Sequence, residues 1–403
     1  MMSFLSHSCT ASMSKKPKVL ASSLASSALL PGLPDDLALL CLARVPSIAL
    51  LWRVSTSWRS AISHSTYYHA LRASLGFDCQ KWLYALLHDE SLQSAEPPLD
   101  MSKPVFSWHA YDPIANSWHA LPPLPSSVKF HLSSPSCIGY LHSVQCASSA
   151  TKLFMVAGSK LDERGAGSDA KRASLKPALD CPLIFDSQTQ KWSEGTPFSV
   201  PRKWCACGTA EGKLFVASGC GQAWDKALSR SAEMYDPEAQ KWAEIERLRS
   251  SAFSRMGMAA VNYKGKLHMV SGVGVTYDPA TGRWGDMPRG MKEGWSGQSV
   301  VVNGSLFMLD EPSGRLKVYN EVKDEWKCVT PKDDALKGME QLVGGSCGTF
   351  CGIVRKKVVR GDRTVDEDAI RIVDVKGVKP AVKDVRLPFG RVVAVQVLSR
   401  MVL

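Results

Sequence analysis

One short segment of the 403-residue chain has the residue order of a catalytic nucleophile. Residues 344–348 read Gly-Gly-Ser-Cys-Gly, which matches the Gly-x-Ser-x-Gly motif that presents a serine hydroxyl between a strand and a helix. The apolar and β-branched residues on both sides favour a strand before and after the glycines. Because the helix that the motif needs is missing from the pattern, we predict a glycine-rich β-turn.

The histidines and cysteines show no metal-binding spacing either. None of the nine histidines forms a His-x-x-x-His or His-Glu-x-x-His pattern, and none of the twelve cysteines forms a Cys-x-x-Cys pair. The closest pairs are Cys205 with Cys207 and Cys347 with Cys351. We therefore predict a protein that is not an enzyme, with no catalytic residue, metal or cofactor, and with reduced cysteines buried as small apolar residues.

The composition is that of a soluble globular protein, with 45% hydrophobic and 22% charged residues. The apolar stretch at residues 21–33 is broken by serines and a proline, and is shorter than the roughly 18 to 20 apolar residues of a membrane span. The net charge of +11 divides into +3 in residues 1–30, +2 in 31–75, zero in 76–350 and +6 in 351–403. Since the central body is neutral, neither a nucleic acid nor a membrane is an expected partner.

Residues 1–30 have the composition of a disordered tail. They hold nine serines, three lysines and no acidic residue, and such a segment buries too little apolar surface to fold by itself. The same composition is similar to that of plastid transit peptides, and the lysine cluster at residues 15–18 to that of weak nuclear-import signals. We expect a disordered Ser-rich tail on a protein of the cytoplasm, the nucleus or both.

Residues 31–75 have the apolar spacing of a small helical module. Leucines recur at helical spacing from residue 33 to 40, and Pro34 with the two aspartates after it suits the first turn of a helix. Pro46 interrupts the pattern, and a second amphipathic run follows over residues 50–62. The pattern predicts two or three short helices packed on one another.

The order of residues in this module resembles the F-box, a helical motif that docks on the small cullin-linking adaptor of SCF-type ubiquitin ligases. The resemblance rests on Leu-Pro-Asp-Asp-Leu at residues 33–37, Val-Pro at 45–46 and Ser-Trp-Arg at 57–59. It implies that the module joins such a ligase and that Trp58 holds the module together. The residues implied for the docking face are Leu33, Pro34, Leu37, Leu42 and Val45.

Two phrases recur through the rest of the chain. In the first, an aromatic residue, usually followed by Asp, precedes a tryptophan by seven residues, in the pairs Tyr111 and Trp118, Phe185 and Trp192, Tyr235 and Trp242, Tyr277 and Trp284, and Tyr319 and Trp326. The second is a short apolar strand at residues 152–158, 213–219, 266–272 and 305–309. Lys-Gly at 264–265 and Asn-Gly at 303–304 predict hairpin turns. The repeat length fits four strands per unit in a radial array.

These phrases resemble the kelch repeat, which implies a mainly β chain folded as a β-propeller. Five tryptophan-marked repeats and a degenerate sixth at residues 338–374 predict six blades within residues 81–403. The first blade begins at residues 82–87 without an innermost strand, and the apolar run 392–398 is expected to supply it and close the ring. We expect the repeated aromatic residues to pack blade against blade.

An F-box-like module followed by a kelch array resembles the F-box/kelch proteins that are common in plants. The resemblance implies a substrate-recognition adaptor of a cullin-RING ubiquitin ligase, in which the helical module binds the ligase adaptor and the propeller binds a target protein of unknown identity. The alternative is a free-standing kelch scaffold whose helices only cap the propeller.

Some connections of the propeller predict where a target protein docks. Connections from second to third strand and from blade to blade share one face, and the longest runs from residue 158 to 180, with a shorter one from 219 to 231. Exposed Trp and Arg on such loops are typical of binding hot spots. The candidates are Arg202, Trp204, Trp224, Arg230, Arg255 and Trp295. For Arg202 and Arg255, a position on the channel rim without a binding role stays open.

Overall fold

The structure is a computed structural model of the chain. It describes residues 28–45, 51, 54–64, 67–68, 71–72, 75, 81–89, 106–125, 144–157, 178–221, 225–249, 260–271, 273–345, 348–360, 363–377 and 379–399. The internal contacts divide the chain into two units, Met1–Leu75 and Gly76–Leu403. The tail predicted for residues 1–30 lies almost wholly outside the described residues. Of the helices that the structure describes, none has the length and apolar character needed to cross a membrane.

The first unit includes the helices α1 (Asp35–Ala43) and α2 (Thr56–His64). Helix α1 begins directly after Pro34, with two aspartates in its first turn. Leu42 and Ala43 are buried on its inner side. At its C-terminal end, the buried Arg72 donates from Nη1 to the carbonyls of Ala43 and Val45, at 3.1 and 2.7 Å. This cation therefore satisfies carbonyl groups that the end of a helix leaves without partners.

The second unit is mainly β. Its strands are β1 (Lys81–His88), β2 (Phe106–Asp112), β3 (Ser117–Ala120), β4 (Gln145–Ser149), β5 (Lys152–Ala157), β6 (Leu183–Asp186), β7 (Lys191–Glu194), β8 (Ala206–Ala210), β9 (Lys213–Ala217), β10 (Ala232–Asp236), β11 (Lys241–Glu244), β12 (Val261–Tyr263), β13 (Lys266–Ser271), β14 (Val273–Asp278), β15 (Arg283–Asp286), β16 (Gln298–Val302), β17 (Ser305–Asp310), β18 (Arg315–Asn320), β19 (Glu325–Thr330), β20 (Glu340–Gly344), β21 (Thr349–Arg360), β22 (Arg363–Asp374), β23 (Ala381–Arg386) and β24 (Arg391–Ser399). Two short helices, α3 (Lys226–Ser229) and α4 (Arg289–Gly294), lie in connections between strands.

These strands form six four-stranded antiparallel sheets, the blades of a propeller. Blades 2 to 6 each use four consecutive strands, starting from β4, β8, β12, β16 and β20. Blade 1 has the order β24-β1-β2-β3, and its innermost strand comes from the end of the chain. The pairing of β24 with β1 runs from Lys81 opposite Ser399 to His88 opposite Arg391. The predicted six-bladed propeller and its closure by residues 392–398 are confirmed.

Five blades repeat one local structure in their two outer strands. The aromatic residue of the third strand lies opposite the tryptophan of the fourth, with ring centroids 5.0 to 5.4 Å apart. The Asp or Asn after the aromatic residue accepts a hydrogen bond from the backbone N–H two residues later. These side chains, which close the turn between the strands, are Asp112, Asp186, Asp236, Asp278 and Asn320.

The five tryptophans also connect neighbouring blades. Each Nε1 donates, at 2.6 to 3.0 Å, to a backbone carbonyl at the end of the preceding blade or in the connection that follows it. The acceptors are the carbonyls of Arg386, Pro122, Thr196, Glu246 and Met291. The tryptophans thus have the packing role that the sequence predicts, with a polar contact added.

The glycine-rich segment at 344–348 joins two strands of blade 6. Strand β20 ends at Gly344, and the Gly345 N–H donates to the Thr349 carbonyl at the start of β21, at 2.8 Å. Residues 346 and 347 lie outside the described residues, but the strand-to-strand context is the one predicted for a turn. The next hairpin, β21 with β22, pairs along its whole length, up to Arg360 opposite Arg363.

Candidate docking surfaces

Helix α1 presents apolar residues on the surface of the first unit. Leu33 and Leu37 are 37% and 45% exposed, and Pro34 between them is exposed as well. Cys41, one helical turn after Leu37, is also exposed and continues the same face. An isolated exposed leucine is ordinary, but a group of apolar residues along one helix face is typical of a binding surface.

The two other residues implied for this face lie elsewhere. Leu42 is only 3% exposed, so its predicted place on an accessible docking face is wrong for this state of the protein. The physical reason is the helical repeat, which turns Leu42 toward the buried side of α1 while Leu37 and Cys41 point outward. Val45 is half-buried, and its carbonyl is occupied by Arg72.

The segment before α1 is held by Trp58 and Asp35. The Trp58 indole donates from Nε1 to the Leu29 carbonyl at 2.6 Å, and the Leu29 N–H donates to Asp35 Oδ1 at 3.0 Å. These two bonds fix the chain just ahead of Leu33 and Pro34. The structure thus gives Trp58 the structural role that the F-box resemblance implies.

Further exposed apolar residues of the first unit are not anticipated by the sequence. Val54 is 61% and Tyr67 is 53% exposed. Val54 lies in the second amphipathic run, where the apolar spacing predicts a place in the core, and Tyr67 lies in a helical stretch beyond that run. No sequence signal separates an apolar residue that packs inside a small module from one that stays on its surface.

On the propeller, the predicted docking face consists of the connections from the second to the third strand of a blade and from one blade to the next. They include the connection that enters blade 3 at residues 195–205 and the one from β9 to β10, which carries α3. Trp224, Arg255 and residues 158–177 lie outside the described residues. Of the six candidates, Arg202, Trp204, Arg230 and Trp295 are described.

Arg202 is the largest departure from the predicted surface. Its side chain is 0% exposed, and Nη2 donates to Glu233 Oε1 at 2.8 Å, with Glu233 only 4% exposed. Nη1 donates to the Ser218 carbonyl at 3.2 Å and to Ser231 Oγ at 2.9 Å. Arg202 is therefore an interior ion pair that joins the connection entering blade 3 to the ends of β9 and β10. The exposure assumed for it is wrong, because its charge is satisfied inside the blade.

Trp204 is also buried, at 3% exposure, so the prediction that its side chain is exposed on the docking face is wrong. Its backbone has a φ of 51°, in the left-handed region that a non-glycine residue adopts only at a cost. Within the described residues, Trp204 Nε1, Arg202 Nε, Ser218 Oγ and Glu233 Oε2 are buried without a hydrogen-bond partner. The connection into blade 3 is thus held in a strained conformation around incompletely satisfied polar groups.

Arg230 and Trp295 are half-buried, and each supports a connection of this face. Arg230 donates from Nε to the Leu248 carbonyl at 2.7 Å. Trp295 packs edge-on against Trp326, with ring centroids 5.6 Å apart, and donates from Nε1 to the Gly297 carbonyl at 3.2 Å. Their remaining exposed edges are available to a partner, so a binding role for them stays a prediction.

The exposed side chains of this face come from other positions. Val200, two residues before Arg202, is 46% exposed, and Lys226 at the start of α3 is exposed. Valine and lysine are not the residue types by which a binding hot spot is predicted from a sequence. The burial of Arg202 shows which side of this connection faces outward.

The described residues include histidines, acidic residues and cysteines that could in principle bind a metal ion or act as nucleophiles. No three of their His, Cys, Asp and Glu side chains are grouped so as to hold a metal ion. Burial raises the pKa of the Cys205 thiol to about 11 and that of the Cys351 thiol to about 12, so both thiols are protonated and weakly nucleophilic at neutral pH. Cys41 and Cys328 are exposed, so the prediction that the cysteines are buried is wrong for these two.

Comparison with known proteins gives a kelch-repeat family model and F-box relatives. A family model described as FKB95, Kelch-repeats domain, matches residues 170–367. The chain is 30% identical over 396 residues to the F-box/kelch-repeat protein SKIP25 of Arabidopsis thaliana, covering 93% of this chain and 90% of that protein. It is 29% identical over 298 residues to the F-box protein AFR of the same organism, covering 70% of this chain and 68% of that protein. Among solved structures, it is similar to the structure of YjhT at 13% identity and a TM-score of 0.40, over 65% of this chain and 99% of that chain.

The similarity to SKIP25 is not confined to the propeller. A match over 93% of the chain is longer than the second unit, Gly76–Leu403, and therefore includes part of the helical unit. The chain belongs to the F-box/kelch-repeat family of proteins.

Proposed function

We propose that this protein is the substrate-recognition adaptor of a cullin-RING ubiquitin ligase. One observation carries the proposal: within the F-box/kelch-repeat family, this chain combines an exposed apolar helix face, at Leu33, Pro34 and Leu37, with a closed propeller. The helix face offers a surface to the small cullin-linking adaptor, and the propeller connections offer a second surface to a target protein. The protein would contribute positioning, while other subunits perform the transfer of ubiquitin.

The helix face is tested by binding to the cullin-linking adaptor. Replacing Leu33 and Pro34 together by Ala removes apolar contact area from the N-terminal end of the face, and we expect the Kd for the adaptor to rise by about 100-fold or more. Val322→Ala is the matched control, because Val322 is 97% exposed on the propeller and lies outside both proposed surfaces. If the double variant keeps its circular dichroism spectrum and binds the adaptor as tightly as the wild type, the ligase assignment is wrong.

The propeller face is tested separately, by proximity labelling of target proteins in cells with the proteasome inhibited. Changing Val200 to Asp and Lys226 to Glu alters two exposed side chains of the proposed face without touching the buried Arg202 pair. We expect this variant to lose the labelled targets and to keep adaptor binding. Val382→Asp, at a 42% exposed position on β23, is the control. Trp224→Ala and Arg255→Ala extend the test to the two candidates outside the described residues.

A free-standing scaffold remains the competing function. A chain that starts at residue 77 keeps the whole propeller and lacks the helical unit. If this chain promotes ubiquitylation of the labelled targets as well as the full chain does, the scaffold function is favoured. Loss of ubiquitylation with targets still bound supports the adaptor.

A further inference from the structure

Three of the six blades are packed by a repeated pair of side chains that blade 4 lacks. In the second and third strands of blades 2, 3 and 5, a Phe lies opposite an aliphatic residue. These pairs are Phe154 with Ile184, Phe215 with Met234, and Phe307 with Val318. In blade 4 the same two positions hold His268 and Thr276. Thr276 lies opposite Gly285 in the fourth strand, where blades 2, 3 and 5 have Ser193, Ala243 and Lys327.

These residues leave a cavity of about 520 Å³ between blades 4 and 5. Its lining includes His268, Thr276 and Gly285 from blade 4, and Tyr319 from blade 5. A Cβ added to Gly285 would meet nothing nearer than 4.0 Å. Between blades 3 and 4, a space of only about 10 Å³ lies beside Phe215, which occupies the position of His268. Between blades 2 and 3, where Phe154 occupies the position of His268, a groove of about 250 Å³ remains. The side chains of blade 4 therefore enlarge a space that the propeller also forms between other blades.

The inner part of the cavity is polar but uncharged. His268 is 6% exposed, and burial lowers its pKa, which keeps the imidazole neutral at pH 7. Its Nδ1 lies 3.1 Å from the Lys266 carbonyl, which can only accept, so the other ring nitrogen of the neutral form is an acceptor. Thr276 is 9% exposed, and its hydroxyl has no hydrogen-bond partner among the described residues. Because Thr276 lines the cavity, a change of its χ1 rotamer can present this unpartnered hydroxyl to a ligand.

The walls are aromatic and held in place. The rings of Tyr263 and Tyr319 pack edge to face, with centroids 6.4 Å apart. The Tyr319 hydroxyl donates to Asp324 Oδ1 at 2.6 Å, and the same carboxylate accepts the N–H groups of Gly290 and Met291 in α4. Trp284 adjoins the cavity beside Gly285, but its indole packs on the other side of blade 4, against blade 3, so the two tyrosines are the aromatic walls. Because these rings are fixed by bonds outside the cavity, the site is formed before a ligand arrives.

The charges around the mouth cancel one another. Lys264 pairs with Glu321, and Lys266 lies 3.0 Å from Asp278. The two other charged lining residues, Arg283 and Asp286, are of opposite sign. A neutral mouth does not select for an anion or a cation.

We propose that the cavity between blades 4 and 5 binds an uncharged, planar heterocycle of one or two fused rings that carries both a hydrogen-bond donor and an acceptor. Its ring would pack between Tyr263 and Tyr319, its donor would meet the imidazole of His268, and its acceptor would meet the hydroxyl of Thr276. The volume lies in the range of small-molecule sites. This site is independent of the ligase assignment and stands without it.

The test uses adenine, hypoxanthine, uracil and nicotinamide as probes against the full chain, with binding measured by saturation-transfer NMR and calorimetry. For ligands of this size we expect a Kd of roughly 1 mM or below for at least one probe. Benzoate, which is planar but charged, should bind at least about tenfold more weakly. The double variant His268→Phe with Thr276→Val installs the pair found in blade 5, and should abolish binding while raising Tm, because it fills the cavity with apolar side chains.

Two further variants test the cavity even if the double variant fails to fold. Gly285→Ser places the side chain of blade 2 in the open space, and should weaken binding. Ser193→Gly makes the reverse change in blade 2, and should leave binding unchanged. Absence of binding by all four probes, tighter binding of benzoate, or unchanged binding by both filled variants would overturn the proposal.

Discussion

At the scale of single residues, the ion pair of Arg202 and Glu233 is the most consequential contact on the proposed docking face. Both side chains are almost fully buried, and the pair joins the connection entering blade 3 to strand β10. A buried pair is costly to form, but removing one partner is far more costly, since it leaves a charge without water or a counter-charge. An effect of Arg202 substitution on target binding would therefore act through folding.

We expect Arg202→Ala to lower the free energy of unfolding by about 3 to 5 kcal/mol, measured by urea denaturation of the chain that starts at residue 77. The double variant Arg202→Met with Glu233→Leu should recover much of that loss, because no unpaired charge remains. Equal destabilisation by the single and double variants would contradict this interpretation. Lys226→Glu, on the exposed side of the same loop, is the control and should change stability by less than about 0.5 kcal/mol.

A second residue-scale prediction concerns acid stability in blade 6. The guanidinium of Arg371, which binds both carboxylate oxygens of Asp384 at 2.6 and 2.7 Å, together with the ammonium of Lys356, holds the pKa of Asp384 at about 2. Because this folded-state pKa is below the unfolded value of 3.8, the carboxylate stabilises the fold above that value, and the stabilisation is lost as the pH falls toward 2. Asp384→Asn should flatten the decline of unfolding free energy between these pH values. A decline as steep as that of the wild type would argue against this role.

Residue type and spacing predict much of the chemistry of the repeats but little of the exposure of individual side chains. The Asp after each aromatic residue and the Trp seven residues later have the same roles in each copy, because their partners are backbone groups at fixed positions in the turn and the connection. Arg202 differs, since its burial depends on Glu233 and Ser218, which are distant in the sequence and belong to no repeated phrase.

At the scale of elements, strand β24 decides whether the ring is closed. It is the innermost strand of blade 1 and pairs along the whole of β1, with Val392, Ala394 and Val395 buried. The sequence predicts this element correctly because blade 1 lacks an inner strand and the only remaining apolar run lies at the end of the chain. It does not predict the polar cavity of blade 4, since His268 occurs within an otherwise ordinary strand pattern.

We expect a chain that ends at residue 390 to lose cooperative thermal unfolding and to aggregate, because β1 would expose an unpaired edge and its buried face. A chain that ends at residue 399 keeps β24 and should melt like the wild type. Adding a peptide of residues 390–399 to the shorter chain should restore solubility if strand pairing is the cause. A shortened chain with the wild-type Tm would show that closure contributes little.

At the scale of the whole molecule, the chain consists of two sets of internal contacts, Met1–Leu75 and Gly76–Leu403. The first unit is small, and a small unit buries a lower fraction of its surface than a large one. We expect calorimetry of the full chain to show two transitions, the lower from the helical unit, and a chain starting at residue 77 to show only the upper one. A single transition in the full chain would indicate that the two units unfold together.

The strand order of blade 1 also determines when the propeller can be completed during synthesis. Strand β1 is among the first parts of the propeller to leave the ribosome, and its partner β24 is among the last. The closing contact therefore spans nearly the whole length of the unit, which predicts slow completion of folding and a long period in which β1 has an open edge. Chaperones would have to protect that edge until β24 has been synthesised, and a chain that stops before β24 would carry the open edge permanently.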